Sequence, residues 1–143
     1  MRDKRGLHLR LEEMLDCYAT SDPLKEMEMM KKGEGDPQEA ALKWLALSIL
    51  HGINARAKKM SIAKTEAGDF TVTVEYRGSQ LPSPGETTAR QVIPTMRGIT
   101  HIDEVKGKVP LILGIQNSSI ELDVKIKSED GKEKVTLKFP KDL

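Results

Sequence analysis

Residues 36–59 read DPQEAALKWLALSILHGINARAKK, a stretch that carries helix signals at both of its ends. Asp36 is of the residue type that caps the free amide groups of a first helical turn, and Pro37 suits the first helical position. Glu39 completes a pattern similar to a capping box. The basic residues at 56, 58 and 59 stand where positive charge meets the carbonyl end of a helix dipole. The sequence therefore predicts one long helix over about 37–59.

This predicted helix is apolar on two sides. Leu45 and Ile49 belong to a broad stripe at helical spacing, and Trp44, Leu47 and His51 lie on the opposite side. Leaving the Trp or the Leu in water would forgo roughly 1.5–3 kcal/mol each. We therefore expect cover on both sides, and the second side predicts self-association or a protein partner.

Two shorter helices are predicted before the long one. Apolar residues recur at helical spacing over 7–18, which indicates an amphipathic helix. A second, short helix opens at Asp22 and carries Met27 and Met30, and a glycine-containing linker follows at 33–35. The interface candidates are Trp44, Leu47, His51, Met27 and Met30.

Beyond residue 60 the apolar period changes from 3.6 to 2, as in strands with one buried face. Such alternation runs over 70–76, 120–126 and 135–139, and a nearly continuous apolar run at 109–115 also predicts a strand. Gly68 and Gly131 stand at the same offset before alternating segments, which makes 60–64 a candidate strand. Two hairpins with one turn design would explain the match, but we favour the recurrence of glycine by chance or common turn chemistry.

The predicted fold is α+β, with N-terminal helices and the long helix packed on a twisted, mostly antiparallel sheet of four to six strands. The strands are a hairpin over about 60–77 and a meander over about 109–139. We expect one domain over 1–143, with 1–35 a helical N-terminal segment and 36–143 the helix-plus-sheet core. Residues 78–86 predict a loop, and Thr87, Thr88, Arg90 and Arg97 after it form no recognisable catalytic set.

Composition argues against several classes of partner. Charged residues make up 31% of the chain and nearly balance, at a formal net charge of +1, which predicts no strong field toward nucleic acid or membrane. No apolar run approaches membrane-spanning length. A single cysteine, Cys17, is typical of a reducing compartment. We expect a cytoplasmic protein with no membrane partner, and we keep nucleic acid only as an alternative partner.

Few polar groups are candidates for chemistry. His101 and Asp103 would point the same way in an extended segment, with His51 a conceivable third metal ligand. This spacing is common in solvent-facing loops, so we predict no catalytic residue, metal or cofactor. The candidates for a small-molecule pocket between the long helix and a curved sheet are His51, Tyr76, His101 and Asp103.

The densest basic cluster consists of Arg56, Lys58, Lys59 and Lys64, residue types that contact phosphate backbones. The dipole of the preceding helix also accounts for most of them. The leading hypothesis is a non-catalytic binding or scaffolding domain that acts through self-association or a protein partner. The alternatives are a ligand-binding or enzymatic pocket and weak nucleic-acid binding through this cluster.

Overall fold

The computed structural model describes residues 4–29, 36–66, 70–75, 86–115 and 118–140. Its strands form one antiparallel sheet in the order β2-β1-β5-β4-β3. The elements are α1 (Lys4–Tyr18), α2 (Pro23–Met29), α3 (Pro37–Asn54), β1 (Lys59–Lys64), β2 (Phe70–Glu75), α4 (Glu86–Thr100), β3 (Lys106–Ile115), β4 (Ser118–Glu129) and β5 (Lys132–Lys138). The predicted α+β class, the hairpin and the C-terminal meander are confirmed.

The hairpin joins the meander through strands that are distant in sequence. β1 pairs with β5, placing Met60 opposite Leu137 and Ile62 opposite Val135, and all of these side chains are buried. This pairing makes a single sheet of the two predicted pieces. One apolar face can then be buried against the helices.

The two hairpins do not share one turn design. β4 and β5 are joined by a two-residue turn, Asp130-Gly131, in which both residues have positive φ, as a tight hairpin requires. β1 pairs with β2 from Lys64 opposite Phe70, so its connection is longer. The matching glycine offsets in the sequence therefore reflect common turn composition.

The helix α3 is the centre of the core. Its N-terminus is capped as predicted, since the Asp36 side chain accepts a hydrogen bond from the amide of Gln38 at 3.1 Å. All residues from 41 to 52 are buried except Lys43, which is half-buried. α3 packs against α1, α2 and α4, so the predicted cover on both sides is confirmed and comes from the chain's own helices.

The helix α3 ends at Asn54, earlier than the predicted end near 59. Arg56 takes a left-handed conformation, with φ 55°, and the amide of Ala57 donates to the carbonyl of Gly52 at 2.8 Å. These features define a Schellman-type helix end with arginine at the position that glycine usually takes. The basic residues at 58 and 59 therefore lie beyond the helix.

Helix α4 was not predicted from the sequence. Pro94 lies inside it and Gly98 near its end, and both residues normally argue against a helix. Its apolar residues nevertheless recur three or four positions apart and are buried against α1 and α3. These residues are Ala89, Val92, Ile93, Met96 and Ile99.

The edge strand β3 is protected against pairing with another strand. The His8 ring donates from Nε2 to the carbonyl of Ile112 at 2.9 Å, and Glu12 Oε2 accepts from the amide of Gly114 at 2.6 Å. Ile112 and Gly114 belong to the alternate residues of β3 whose backbone amide and carbonyl groups point away from β4. Pro110 is another of these residues, and it has no amide hydrogen to offer a further strand. Helix α1 and this proline therefore remove much of the exposed hydrogen-bonding edge.

Candidate functional site

Strands β3, β4 and β5 carry the helices on one side only. α1 contacts β3 and α4 contacts β5, and the side chains directed toward them are buried, as Leu122, Val124 and Ile126 of β4 illustrate. The alternate residues of these strands point the other way and are mostly exposed. We call this second side of β3–β5 the open face.

Register concentrates lysine at the centre of the open face. Lys127 of β4 lies directly opposite Lys134 of β5 on one side and Lys106 of β3 on the other. Two residues earlier in β4, Lys125 lies opposite Lys108 of β3. All five side chains are exposed. We call this set of five residues the lysine block.

Like charges directly opposite one another across a sheet destabilise it. Strand neighbours lie about 4.8 Å apart and residues two apart along a strand about 6.8 Å, distances within the screening length of about 8 Å at physiological salt. Lys127 has lysines on three sides, and among the described residues it forms an ion pair with the exposed Glu129 at 3.3 Å. An exposed pair of this kind contributes little. The block therefore costs folding stability and suits an anionic ligand.

The near-zero net charge of the chain does not describe this surface. The open face also carries the exposed Lys132 and Lys138, and its acidic residues are confined to Glu121, Asp123 and Glu129 among the described positions. Positive charge is thus segregated onto one side of the sheet. The sequence contains a sign of it in three Lys-X-Lys motifs, at 106–108, 125–127 and 132–134, each on a strand.

The predicted interface residues lie in the core of the chain itself. Trp44 is 1% exposed and Leu47 0%, and His51 and Met27 are also buried. Because α1, α2 and α4 cover α3, these four residues offer a partner no surface. Met30 lies outside the described residues.

The pocket candidates that the structure describes differ in exposure. His51 is buried in α3, whereas His101 and Asp103 are exposed after α4. His101 has φ 61° directly after α4, so the extended segment that would align it with Asp103 is not adopted. Tyr76 lies outside the described residues. No group of three or more His, Cys, Asp or Glu residues in the described ranges is arranged to hold a metal ion.

The predicted basic cluster is divided between different surfaces. Arg56 and Lys58 are exposed at the junction between α3 and β1. Lys59 begins β1 and Lys64 ends it, with side chains on opposite faces of the sheet. Lys64 forms an ion pair with Glu133, with 3.8 Å between Nζ and Oε1. The four residues therefore do not form one patch.

A polar cluster that sequence reasoning missed centres on Arg97 of α4. Its Nη1 donates to the carbonyls of Ile102 and Glu104, at 3.1 and 2.7 Å, and its Nη2 donates to Ser128 Oγ at 2.8 Å. Ser128 Oγ in turn donates to Glu133 at 3.1 Å. These contacts tie the connection before β3 to β4 and β5, and they satisfy the guanidinium. We assign them a structural role.

A cleft of about 570 Å³ lies beside the block, between the end of β1 and the turn from β4 to β5. Lys127 and Lys134 of the block contribute to its wall. The remaining charged residues of the wall are Lys64, Lys132, Glu66, Glu129, Asp130 and Glu133. Positive and negative groups balance among the described residues of the wall, which include no histidine, cysteine or serine.

Burial of His51 contributes to the pH dependence of stability. Burial lowers the pKa of its imidazole, and the carboxylate of Asp22 partly opposes that shift. A group whose pKa is lower in the folded state contributes its full stability above its unfolded value of about 6.5, and this contribution falls as the pH drops through the folded value. We therefore expect the free energy of unfolding to decrease as the pH falls from about 6.5 through the lower pKa of His51 in the folded state.

Urea unfolding of His51→Gln between pH 8 and pH 5 measures this effect. The variant should lose stability less steeply than the wild type below pH 6.5, because it no longer takes up a proton on unfolding. His101→Gln, at an exposed position, is the control and should follow the wild-type curve. Parallel curves for wild type and His51→Gln would contradict the assignment.

The chain matches no protein-family model, and a search of curated proteins gives no significant match. The helices in the described part of the chain are all too short or too polar to span a membrane. The candidate site therefore depends on the geometry and charge of the open face.

Proposed function

We propose that the protein is a non-catalytic binding domain whose lysine block holds a polyanionic partner. The observation that carries this proposal is the arrangement of Lys106, Lys127 and Lys134 directly opposite one another on three adjacent strands. A folded surface gains nothing from such an arrangement, whereas an anionic ligand relieves its repulsion. The exposed thiol of Cys17 is compatible with a reducing, cytoplasmic location, which belongs to the same proposal.

This proposal keeps the binding function that the sequence suggested but moves the binding surface from α3 to the open face of the sheet. The apolar sides of α3 are covered by the chain's own helices, so hydrophobic association through Trp44 has no exposed area to drive it. Among the described residues, the open face carries a concentration of positive charge. Its lysines supply compact, hydrated charges without the fixed hydrogen-bonding fork of arginine, which suits a ligand recognised by charge.

Retention on immobilised heparin, a sulfated polyanion, tests the proposal. We expect the double variant Lys125→Gln/Lys127→Gln to elute at clearly lower salt than the wild type, because two central charges of the block are lost. Its free energy of unfolding should be equal to the wild-type value or higher by up to about 1 kcal/mol, since cross-strand repulsion is removed. Urea unfolding followed by circular dichroism measures the second quantity.

The matched control is Lys25→Gln/Lys58→Gln, which removes the same charge from exposed positions outside the block. This control should elute near the wild type. Equal elution of the two double variants would show that retention follows net charge alone and would overturn the proposal. A less stable block variant would contradict the repulsion on which the proposal depends.

A further inference from the structure

We infer that the polyanion is a nucleic-acid duplex, contacted through its phosphate backbone. This inference rests on the proposed function and names its ligand. Duplex DNA carries one negative charge per about 1.7 Å of axis, and proteins that hold it without reading its sequence do so with lysine and arginine on phosphates.

The block has the form of a narrow band across the strands. One row of lysines runs across β5, β4 and β3, and we call it the first rank; it consists of Lys134, Lys127 and Lys106. The second rank lies about 6.8 Å away along the strands and consists of Lys125 and Lys108. Neighbouring lysines within a rank are about 4.8 Å apart at the backbone. Their long, flexible stems let the ammonium groups adjust to the spacing of phosphates.

On the central strand β4, acidic residues lie beyond both ranks, whereas the β5 residues opposite Glu129 and Asp123 are Lys132 and Lys138. Glu129 lies beyond the first rank, and Asp123 and Glu121 lie beyond the second. A linear polyanion laid across the strands meets the lysines and passes between the carboxylates. A planar anionic membrane would cover the whole open face and meet the carboxylates as well, at a cost in repulsion and desolvation. The carboxylates of β4 therefore favour a linear ligand.

The side chains of the open face also argue against the other modes of nucleic-acid recognition. The described residues of the open face include no aromatic side chain on which an unpaired base could stack, so a single strand would leave its bases without partners. Lysine carries a compact charge on a flexible stem and lacks the planar fork of arginine, so it suits a phosphate better than a base edge. The exposed Ile112 lies opposite Glu121, outside the band, and forms no wedge between the lysines. Of the modes considered, contact with the phosphates of a duplex is the one that these side chains fit best.

Fluorescence anisotropy of a labelled 20-base-pair DNA duplex, titrated with protein at several salt concentrations, tests the inference. The slope of log affinity against log salt is about −0.9 for each phosphate neutralised. We expect Lys125→Gln/Lys127→Gln to bind more weakly and to reduce the steepness by about 1.8. The control Lys25→Gln/Lys58→Gln should keep the wild-type slope, and a duplex of unrelated sequence should bind equally well.

Comparison of heparin retention with duplex binding separates the polyanion function from the choice of nucleic acid as the ligand. Retention of the protein on heparin through the block, without binding of the duplex, would overturn the nucleic-acid assignment and leave the polyanion function in place. Tighter block-dependent binding to phosphatidylserine-containing vesicles, or to polyglutamate, than to the duplex would also overturn it. Loss of block dependence on heparin itself would overturn both.

Discussion

Replacement of Trp44 by alanine should lower the free energy of unfolding by about 3–5 kcal/mol, the usual cost of deleting a large buried aromatic side chain. Trp44 is 1% exposed at the centre of a core that α1, α2, α3 and α4 share. The loss removes apolar burial and leaves a cavity between helices. It would be a large fraction of the roughly 5–15 kcal/mol typical of a folded domain.

Far-ultraviolet circular dichroism in urea should follow this transition, because the variant lacks the only tryptophan of the chain. Leu9→Ala is a suitable control, since Leu9 is 58% exposed on α1 and its truncation should change stability by less than about 0.5 kcal/mol. Light scattering should give the wild-type mass for the folded Trp44→Ala variant. A changed mass with little loss of stability would place Trp44 in an interface between copies.

The second large effect is expected at Gly52, where alanine should destabilise the fold because its overpacking cost, which is about 1–3 kcal/mol in such cases, exceeds its gain in helix propensity. A Cβ atom at Gly52 would lie 2.8 Å from Cε2 of the Phe139 ring, too close for a carbon contact. Phe139 is buried and follows β5, so its ring fixes the end of α3 against the sheet. The better helix propensity of alanine, about 1 kcal/mol, offsets only part of this cost.

Two further variants isolate the contact. Gly6→Ala in α1, where a Cβ would meet nothing within 4 Å, should gain stability by up to about 1 kcal/mol.

In a Phe139→Leu background the smaller side chain leaves room, so Gly52→Ala should cost less than it does in the wild type. Unfolding free energies of the four proteins in this double-mutant cycle should be non-additive. Additive values would show that the ring does not limit position 52.

Local sequence rules predicted α3 and the strands because their signals are short-range. Asp36 and Pro37 start the helix through groups in its own first turn, and period-2 alternation places one face of each strand inward. The same rules missed α4, because Pro94 and Gly98 carry unfavourable local propensities. Burial of its apolar face against α1 and α3 outweighs them, and that energy exists only in the folded chain.

The two sides of α3 illustrate a second limit of sequence reasoning. Its composition required cover around Trp44 and Leu47, and both residues are buried. Composition does not say whether cover comes from the same chain or from another, because the hydrophobic effect is non-directional. Packing of α1, α2 and α4 decided that question, and it moved the candidate site from the helix to the sheet.

By itself, the sequence determined that each Lys-X-Lys motif presents both of its lysines on one face of a strand, since alternate side chains point the same way. Only the tertiary structure decided that Lys106, Lys127 and Lys134 meet. Their meeting depends on the strand order β5-β4-β3 and on register, which burial of the opposite face against the helices specifies. Alternation is a local property of the backbone, whereas register is fixed by contacts between distant parts of the chain.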